Sequence, residues 1–264
     1  MTLHECSAAK DYEGSVAAFK QSVEADPAFA RGFVDSGSAY SQLEKYSDAE
    51  QAFKQAMSIQ ADSCAACGLG MIYRVQGRRD DAEKYLRQSM ELNPKDPCAL
   101  NQLGRMYYDL EEYPKAIEAF EQELKLERNE VILHFLANSL HHSGKVKESI
   151  PHYIEAARLN PSYENIFVDL GKAYHDLGTN DRAVAAFKVA INLEPNDQKA
   201  HAFLGVTQFE MGNRNGAMEQ YQWMLKKNPE FAAELLKGYE QLSDEVKKVE
   251  RLKSASKNAT KTLQ

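Results

Sequence analysis

The stretch that decides the fold is ENIFVDLGKAYHDLGTNDRAVAAFKVAINLEPND, residues 164–197. Apolar residues recur in it at spacings of three, four and seven, which places one apolar stripe on each of two helices. Gly171 and Ala183 are small, so the two helix backbones can approach each other closely. Gly178 ends the first helix, and Pro195 stops the second and presets the turn that follows. The stretch therefore predicts a pair of helices that needs neighbouring pairs to bury its apolar faces.

The same pattern recurs along the chain at intervals of 33 or 34 residues. A Leu-Gly pair in the first helix returns at Leu69-Gly70, Leu103-Gly104, Leu170-Gly171 and Leu204-Gly205. Prolines close several of the units, at Pro27, Pro94, Pro161, Pro195 and Pro229. Aligned on these positions, six full repeats begin near Ala30, Ser63, Pro97, Glu130, Glu164 and Gln198. A repeat of this length is typical of a solenoid.

A Leu-Gly-x-x-Tyr pattern, followed by Ala-x-x-x-Phe and then by Pro, resembles the tetratricopeptide repeat family. The resemblance implies an all-α fold, a right-handed superhelical solenoid of antiparallel helix pairs. It also implies that the first helix of each repeat lines a concave groove. The expected function is that of a protein–protein interaction scaffold or adaptor, which binds a segment of a protein or peptide partner in the groove.

The domain organisation follows from the repeat frame. Residues 1–229 are predicted to form the repeat array, in which the first repeat is incomplete because its start falls before Met1. Either the protein starts abruptly or the chain is a fragment of a longer one. Residues 230–253 are predicted to form an amphipathic capping helix, and residues 254–264 a disordered tail. The second helix of the incomplete repeat, predicted at residues 12–24, is left with uncovered apolar surface, which predicts a homo-oligomer through the N-terminal end.

Composition excludes several classes of function. The chain has 264 residues, 43% of them hydrophobic, and a net charge of −7, which disfavours a nucleic-acid binder because such proteins need a basic surface. No apolar run approaches the ~18 residues of a membrane span, and no basic-then-apolar leader precedes the repeats. With only four cysteines, we expect reduced thiols and a cytoplasmic location.

The expected groove is depleted of acid. The resemblance implies that the second, fifth, ninth and twelfth residues of each repeat face the groove, and none of these 24 residues is Asp or Glu. Five are Lys or Arg and three are His, which favours an acidic peptide or a free C-terminus as ligand, although ordinary solvated polarity is an alternative. The predicted binding residues are Arg31, Arg74, Asn101, Arg105, Tyr108, His134, Asn138, His141, Lys172, His175 and Lys199.

Individual roles follow from side-chain chemistry. Arg74 and Arg105 suit bidentate pairing with a carboxylate, whereas Lys172 and Lys199 act as point charges. Asn side chains can hydrogen-bond an extended backbone. A chaperone-tail clamp is not predicted, because the best frame matches two of the five residues that the family's clamp uses and places Asp169 where it would repel the carboxylate.

Cys64, Cys67 and Cys98 fall at groove positions of two successive repeats. They are a zinc site with His134 as fourth ligand, a redox pair, or small residues that line the groove, and the last interpretation is favoured. No catalytic or phosphate-binding signature is present, so we expect neither an enzyme nor a cofactor or metal. A self-assembling structural unit and a regulatory domain of a longer protein remain alternatives.

Overall fold

A computed structural model describes residues 28–234 and 236–238, together with Gly14 and Phe19. Apart from those two residues, the predicted helix at 12–24 with its uncovered apolar surface lies outside the described part of the chain. So do the tail and most of the predicted capping helix, of which 230–234 and 236–238 are described and helical.

The chain divides into two compact units, Met1–Gly144 and Lys145–Gln264. The described helices of the N-terminal unit are α1 (Ala30–Gln42), α2 (Tyr46–Ile59), α3 (Ser63–Val75), α4 (Arg79–Leu92), α5 (Pro97–Asp109), α6 (Tyr113–Leu126) and α7 (Glu130–His142). Those of the C-terminal unit are α8 (Val146–Leu159), α9 (Glu164–Asp176), α10 (Asn180–Leu193), α11 (Gln198–Glu210) and α12 (Arg214–Lys227). The described residues contain helices and turns but no strand, which confirms the predicted all-α class.

Local sequence sets where the helices begin and turn. Several first helices follow an Asp or Asn whose side chain accepts a hydrogen bond from the backbone N–H of the first turn, as Asp62 does from Ala65 at 2.9 Å. The turn between the two helices of a repeat needs one residue in the left-handed region. Gly178 fills this place with φ of +68°, whereas Glu44 and Glu111 fill it in α1–α2 and α5–α6 with φ of 56° and 58°.

Within the helix pairs of the N-terminal unit, a large side chain of the second helix packs against a small residue of the first. Phe53, Leu86 and Phe120 are fully buried. A Cβ atom placed on Gly104 in α5 would lie 2.6 Å from the ring of Phe120 in α6, so the absence of a side chain lets the two helices pack.

The C-terminal unit repeats this arrangement. A Cβ atom on Gly171 in α9 would lie 2.4 Å from the ring of Phe187 in α10. Phe187 in turn stacks on Phe203 of α11, with ring centroids 5.8 Å apart, and so joins one repeat to the next. Trp223 of α12 stacks on His201 of α11 at 3.6 Å. None of the described helices has both the length and the apolar character needed to cross a bilayer.

Candidate peptide-binding site

An aromatic cluster lies where α5, α6 and α7 of the N-terminal unit meet. Tyr108, a predicted groove residue at the end of α5, has its ring 5.8 Å from Tyr113, 5.9 Å from Phe135 and 5.9 Å from His142. The rings of Tyr113 and His142 stack at 5.4 Å. Tyr108, Tyr113 and Phe135 are half-buried and His142 is exposed, so the cluster offers ring surface to solvent.

Arg105 extends this cluster with a positive charge. Its guanidinium carbon lies 5.0 Å from the centre of the Phe135 ring, within the range of a cation–π contact. Arg105 and Tyr108 are three residues apart on α5, so both side chains project from one face of the helix. The cluster therefore combines flat apolar surface with a guanidinium, whose fork geometry matches a carboxylate.

The predicted groove histidines of α7 are less accessible than the sequence suggested. His134 and His141 are 6% and 9% exposed. The Nε2 atom of His134 lies 3.3 Å from the amide nitrogen of Asn138, and His141 stacks on His142 at 5.6 Å. Both imidazoles are therefore largely buried, and they contact the rings of Phe135 and His142.

Asn101 binds a buried carboxylate. Its amide nitrogen donates to both carboxylate oxygens of Glu123 on α6, at 3.0 and 3.2 Å. Glu123 is 3% exposed. Burial raises the pKa of Glu123 to about 8, although the hydrogen bonds from Asn101 oppose the shift; the nearby Glu127 raises this pKa further and Arg105 lowers it. Asn101 is thus engaged within the fold.

Four predicted groove residues contact acidic side chains of the chain itself. Arg31 pairs with Asp35 at 3.0 Å, Lys172 with Asp169 at 3.2 Å, and His175 with Glu210 at 2.8 Å. Arg74 donates to Asp109 at 2.6 Å and to the side-chain oxygen of Gln102 at 3.2 Å. The acid depletion at groove positions is therefore offset by acids at adjacent positions. An acidic ligand would have to compete with these carboxylates.

Lys199 of α11 lies in an acidic setting. It is exposed and lines a cavity of about 720 Å³ in the C-terminal unit. The carboxylates around this cavity belong to Glu164, Glu194, Asp197, Glu230 and Glu234. Such a lining does not favour an acidic peptide.

The expectation of reduced thiols is wrong for two cysteines. Cys67 of α3 and Cys98 of α5 form a disulfide, with Cα atoms 6.5 Å apart, while Cys64 is a free thiol. Small side chains at equivalent faces of adjacent first helices bring the two sulfur atoms together. The bond occupies two ligands of the alternative zinc site, and among the described residues no group of His, Cys, Asp and Glu side chains could hold a metal ion.

The structure also places at the aromatic cluster three residues that the groove positions missed. Tyr113, Phe135 and His142 fall just outside those positions, at the start of α6 and on the adjacent residues of α7. The sequence does show that these three residues carry rings and lie in two neighbouring repeats, which is the signal that could have identified them. The carboxylate of Glu123 carried no signal, because a single Glu in a charged second helix is typical of an exposed residue.

Comparison with known proteins identifies the class. Tetratricopeptide repeat signatures match residues 30–63, 61–129, 137–178 and 171–212. The chain therefore belongs to the tetratricopeptide repeat family, as its sequence pattern predicts. Members of this family serve as scaffolds for protein–protein interaction.

Among curated proteins, the chain is 23% identical over 190 residues to anaphase-promoting complex subunit 3 of Schizosaccharomyces pombe, covering 70% of this chain and 28% of that protein. It is 25% identical over 262 residues to the Hsp70-Hsp90 organizing protein of Triticum aestivum, covering 92% and 42%. The chain thus spans less than half the length of either relative.

Solved structures share the fold. The APC/C hetero-tetramer Cut9-Hcn1 matches with a TM-score of 0.70 and 20% identity, over 87% of this chain and 46% of that chain. MamA matches with a TM-score of 0.60 and 22% identity, over 65% and 94%. YrrB, whose structure is described as a TPR protein with an unusual peptide-binding site, matches with a TM-score of 0.53 and 19% identity, over 83% and 98%.

Proposed function

We propose that this chain is an adaptor whose N-terminal unit binds a partner segment at the aromatic cluster of α5, α6 and α7. The observation that carries the proposal is the set of half-buried rings around Tyr108, flanked by the guanidinium of Arg105. Half-buried aromatic side chains are the usual anchors of protein interfaces, because they bury a large apolar area at a small entropic cost.

The chemistry of the cluster selects its occupant. Flat rings favour an aromatic or aliphatic side chain of the partner, and Arg105 favours a carboxylate next to it, from an acidic residue or a free C-terminus. Arg105 is assigned this role because its guanidinium carbon lies 5.0 Å from the centre of the Phe135 ring, beside the ring surface of the cluster. The acidic-ligand hypothesis is thereby narrowed from the whole set of predicted cations to one arginine.

The other predicted residues have secondary roles in this proposal. Arg31, Lys172, His175 and Lys199 tune the electrostatic potential near carboxylates, and Asn101, His134, Asn138 and His141 hold the helices that present the rings. A non-enzymatic role, the lack of a nucleic-acid partner, a cytoplasmic location and self-association through the N-terminal end remain predictions from the sequence.

Binding to a peptide panel tests the proposal. The panel holds short peptides that carry an aromatic or leucine side chain beside an acidic C-terminus, each with a free and an amidated end. We expect Tyr108→Ala to weaken every binding peptide by about tenfold or more. We expect Arg105→Gln to weaken only peptides with a carboxylate, again by about tenfold, which corresponds to ~1.4 kcal/mol.

The matched control is Lys84→Gln with Lys125→Gln, since both lysines are exposed on second helices of the same unit. Circular dichroism run alongside shows whether each variant keeps its helices. If the Tyr108, Arg105 and control variants bind with equal affinity, the proposal is contradicted and the binding surface lies outside the aromatic cluster. Equal affinities for free and amidated peptides would remove the carboxylate from the proposal but leave the aromatic anchor.

A further inference from the structure

The disulfide between Cys67 and Cys98 joins two neighbouring first helices, and its two cysteines differ in exposure. Cys67 is 0% exposed, whereas Cys98 is half-buried in the first turn of α5. Cys64, one helical turn before Cys67 on α3, is also half-buried. A small thiol reagent therefore reaches Cys98 before it reaches Cys67.

The helix pair does not depend on the bond for its alignment. At the opposite ends of α3 and α5, Arg74 donates to Asp109 at 2.6 Å and to Gln102 at 3.2 Å. Between these ends the buried side chains of Leu69, Ile72, Leu103 and Met106 belong to one continuous core. With the bond open, these contacts hold the two thiols within reach of each other.

The repeat fold itself does not need a bond at this place. In the C-terminal unit the positions equivalent to Cys67 and Cys98 are held by Val168 and Lys199, and α9 and α11 form there without a covalent link. A disulfide that the fold does not require, with one half-buried cysteine and prealigned partners, has the features of a reversible bond.

We propose that Cys67 and Cys98 form a reversible redox site, whose oxidant is a low-molecular-weight disulfide of the glutathione class. In the first step the Cys98 thiolate attacks one sulfur of the small disulfide, which forms a mixed disulfide and releases one small thiol. In the second step the Cys67 thiolate attacks the Cys98 sulfur, which closes the protein disulfide and releases the second small thiol. Two electrons pass to the small disulfide, and the two cysteine protons leave with the released thiols.

Cys64 is the bystander of this site. Burial raises the pKa of the Cys64 thiol, and the nearby carboxylates of Asp62 and Asp96 raise it further, so little of it is thiolate at neutral pH. It therefore exchanges slowly with the disulfide between its neighbours. Oxidation at the site stiffens the junction of the second and third full repeats, because it fixes the distance between α3 and α5 at one end.

Thiol counting in glutathione buffers tests the proposal on the full chain. A Cys6→Ser background leaves three cysteines, so maleimide labelling under denaturing conditions adds one group to the oxidised chain and three to the reduced chain. We expect conversion between the two forms as the ratio of reduced to oxidised glutathione rises to about 100:1. We also expect the oxidised chain to melt at least about 5 °C higher.

Variants separate the site from nonspecific oxidation. Cys64→Ser retains the disulfide and the shift in melting, whereas Cys98→Ala, a change at a half-buried position, abolishes both without loss of helix by circular dichroism. A bond that survives about 100:1 reduced glutathione overturns the reversible site and assigns a permanent structural link. A bond that never forms, or one that peptide mapping assigns to Cys64, overturns it as well.

Discussion

The two units of the chain use one repeat pattern, and the N-terminal unit adds a covalent link between two of its repeats. In both, a ring of the second helix packs on a glycine of the first, Phe120 on Gly104 and Phe187 on Gly171, and stacks on a ring of the next repeat, Phe135 and Phe203 respectively. The N-terminal unit also links α3 to α5 through the Cys67–Cys98 disulfide. The repeat pattern thus sets the helix pair, and the positions outside it set how pairs are joined.

Disrupting the contact between ring and glycine, which both units share, should have the largest effect on stability. Gly171→Leu places a side chain where a Cβ atom already lies 2.4 Å from Phe187, and Phe187 also carries the stack on Phe203. We expect a loss of about 3 kcal/mol in the free energy of unfolding. Denaturation followed by fluorescence of Trp223, the single tryptophan, reports this loss in the unit that contains it.

The matched control is Lys188→Leu, which adds the same side chain at an exposed position of α10. Its free energy of unfolding should stay within about 0.5 kcal/mol of that of the parent chain. If Gly171→Leu has the same free energy of unfolding as the parent chain, the close contact between α9 and α10 is not what stabilises this repeat.

The buried carboxylate of Glu123 in the N-terminal unit should have the second largest effect, through the pH dependence of stability. Because the pKa of Glu123 is raised from 4.5 to about 8 on folding, the folded chain binds more protons than the unfolded chain between these values. This contribution to stability is therefore present at acid pH and is lost as pH rises towards 8. We expect the loss to be on the order of 2 kcal/mol, and Glu123→Gln to remove it.

Thermal melting of the parent chain and of the Glu123→Gln variant between pH 5 and 8.5 measures this effect. Glu118→Gln, an exposed change on the same helix, should leave the pH dependence of the parent chain intact. A Glu123→Gln chain that loses as much stability as the parent over this range would show that another group is responsible.

The sequence predicted the parts of the structure that follow from a repeated physical requirement. Gly171 and Phe187 were recognisable because their spacing recurs in several repeats and each repeat must bury the same interface. Glu123 and the Cys67–Cys98 bond were not, because each occurs once and depends on which side chain of the neighbouring helix lies opposite. The position of Arg105 on α5 was predictable, whereas its contact with Phe135 required the geometry of two repeats.

The turn between paired helices offers a smaller test. Glu111 has a φ of 58° in the N-terminal unit, and Gly178 has a φ of 68° in the C-terminal unit. A Cβ atom at Gly178 has no neighbour within 4 Å, so only the backbone decides the effect of substitution there. We expect Glu111→Gly to stabilise the chain and Gly178→Glu to destabilise it, each by about 1 kcal/mol.

Denaturant titration of the two single variants and of the chain that carries both checks this sign reversal. The double variant should fall close to the parent, because distant changes add. Two changes of the same sign would contradict the role assigned to the left-handed residue.

The smallest expected effect concerns two ion pairs that occupy equivalent places in the two units. Arg74 contacts Asp109 at 2.6 Å, and His175 contacts Glu210 at 2.8 Å, each between the ends of successive first helices. Both pairs are partly exposed, so we expect a coupling energy of about 0.5 kcal/mol for each. A guanidinium keeps its charge at every accessible pH, so the pair in the N-terminal unit is an ion pair whose strength depends on salt.

Double-mutant cycles with Arg74→Gln and Asp109→Asn, and with His175→Gln and Glu210→Gln, isolate the two couplings. Asp176, whose carboxylate lies 3.5 Å from the other ring nitrogen of His175, is left in place in every chain of the second cycle, so its contribution cancels. At high salt the coupling in the N-terminal unit should fall, because a partly exposed ion pair is screened. A coupling that salt leaves unchanged would mean that hydrogen bonding, and not charge, joins these helix ends, and the two units would then differ at this position in residue type alone.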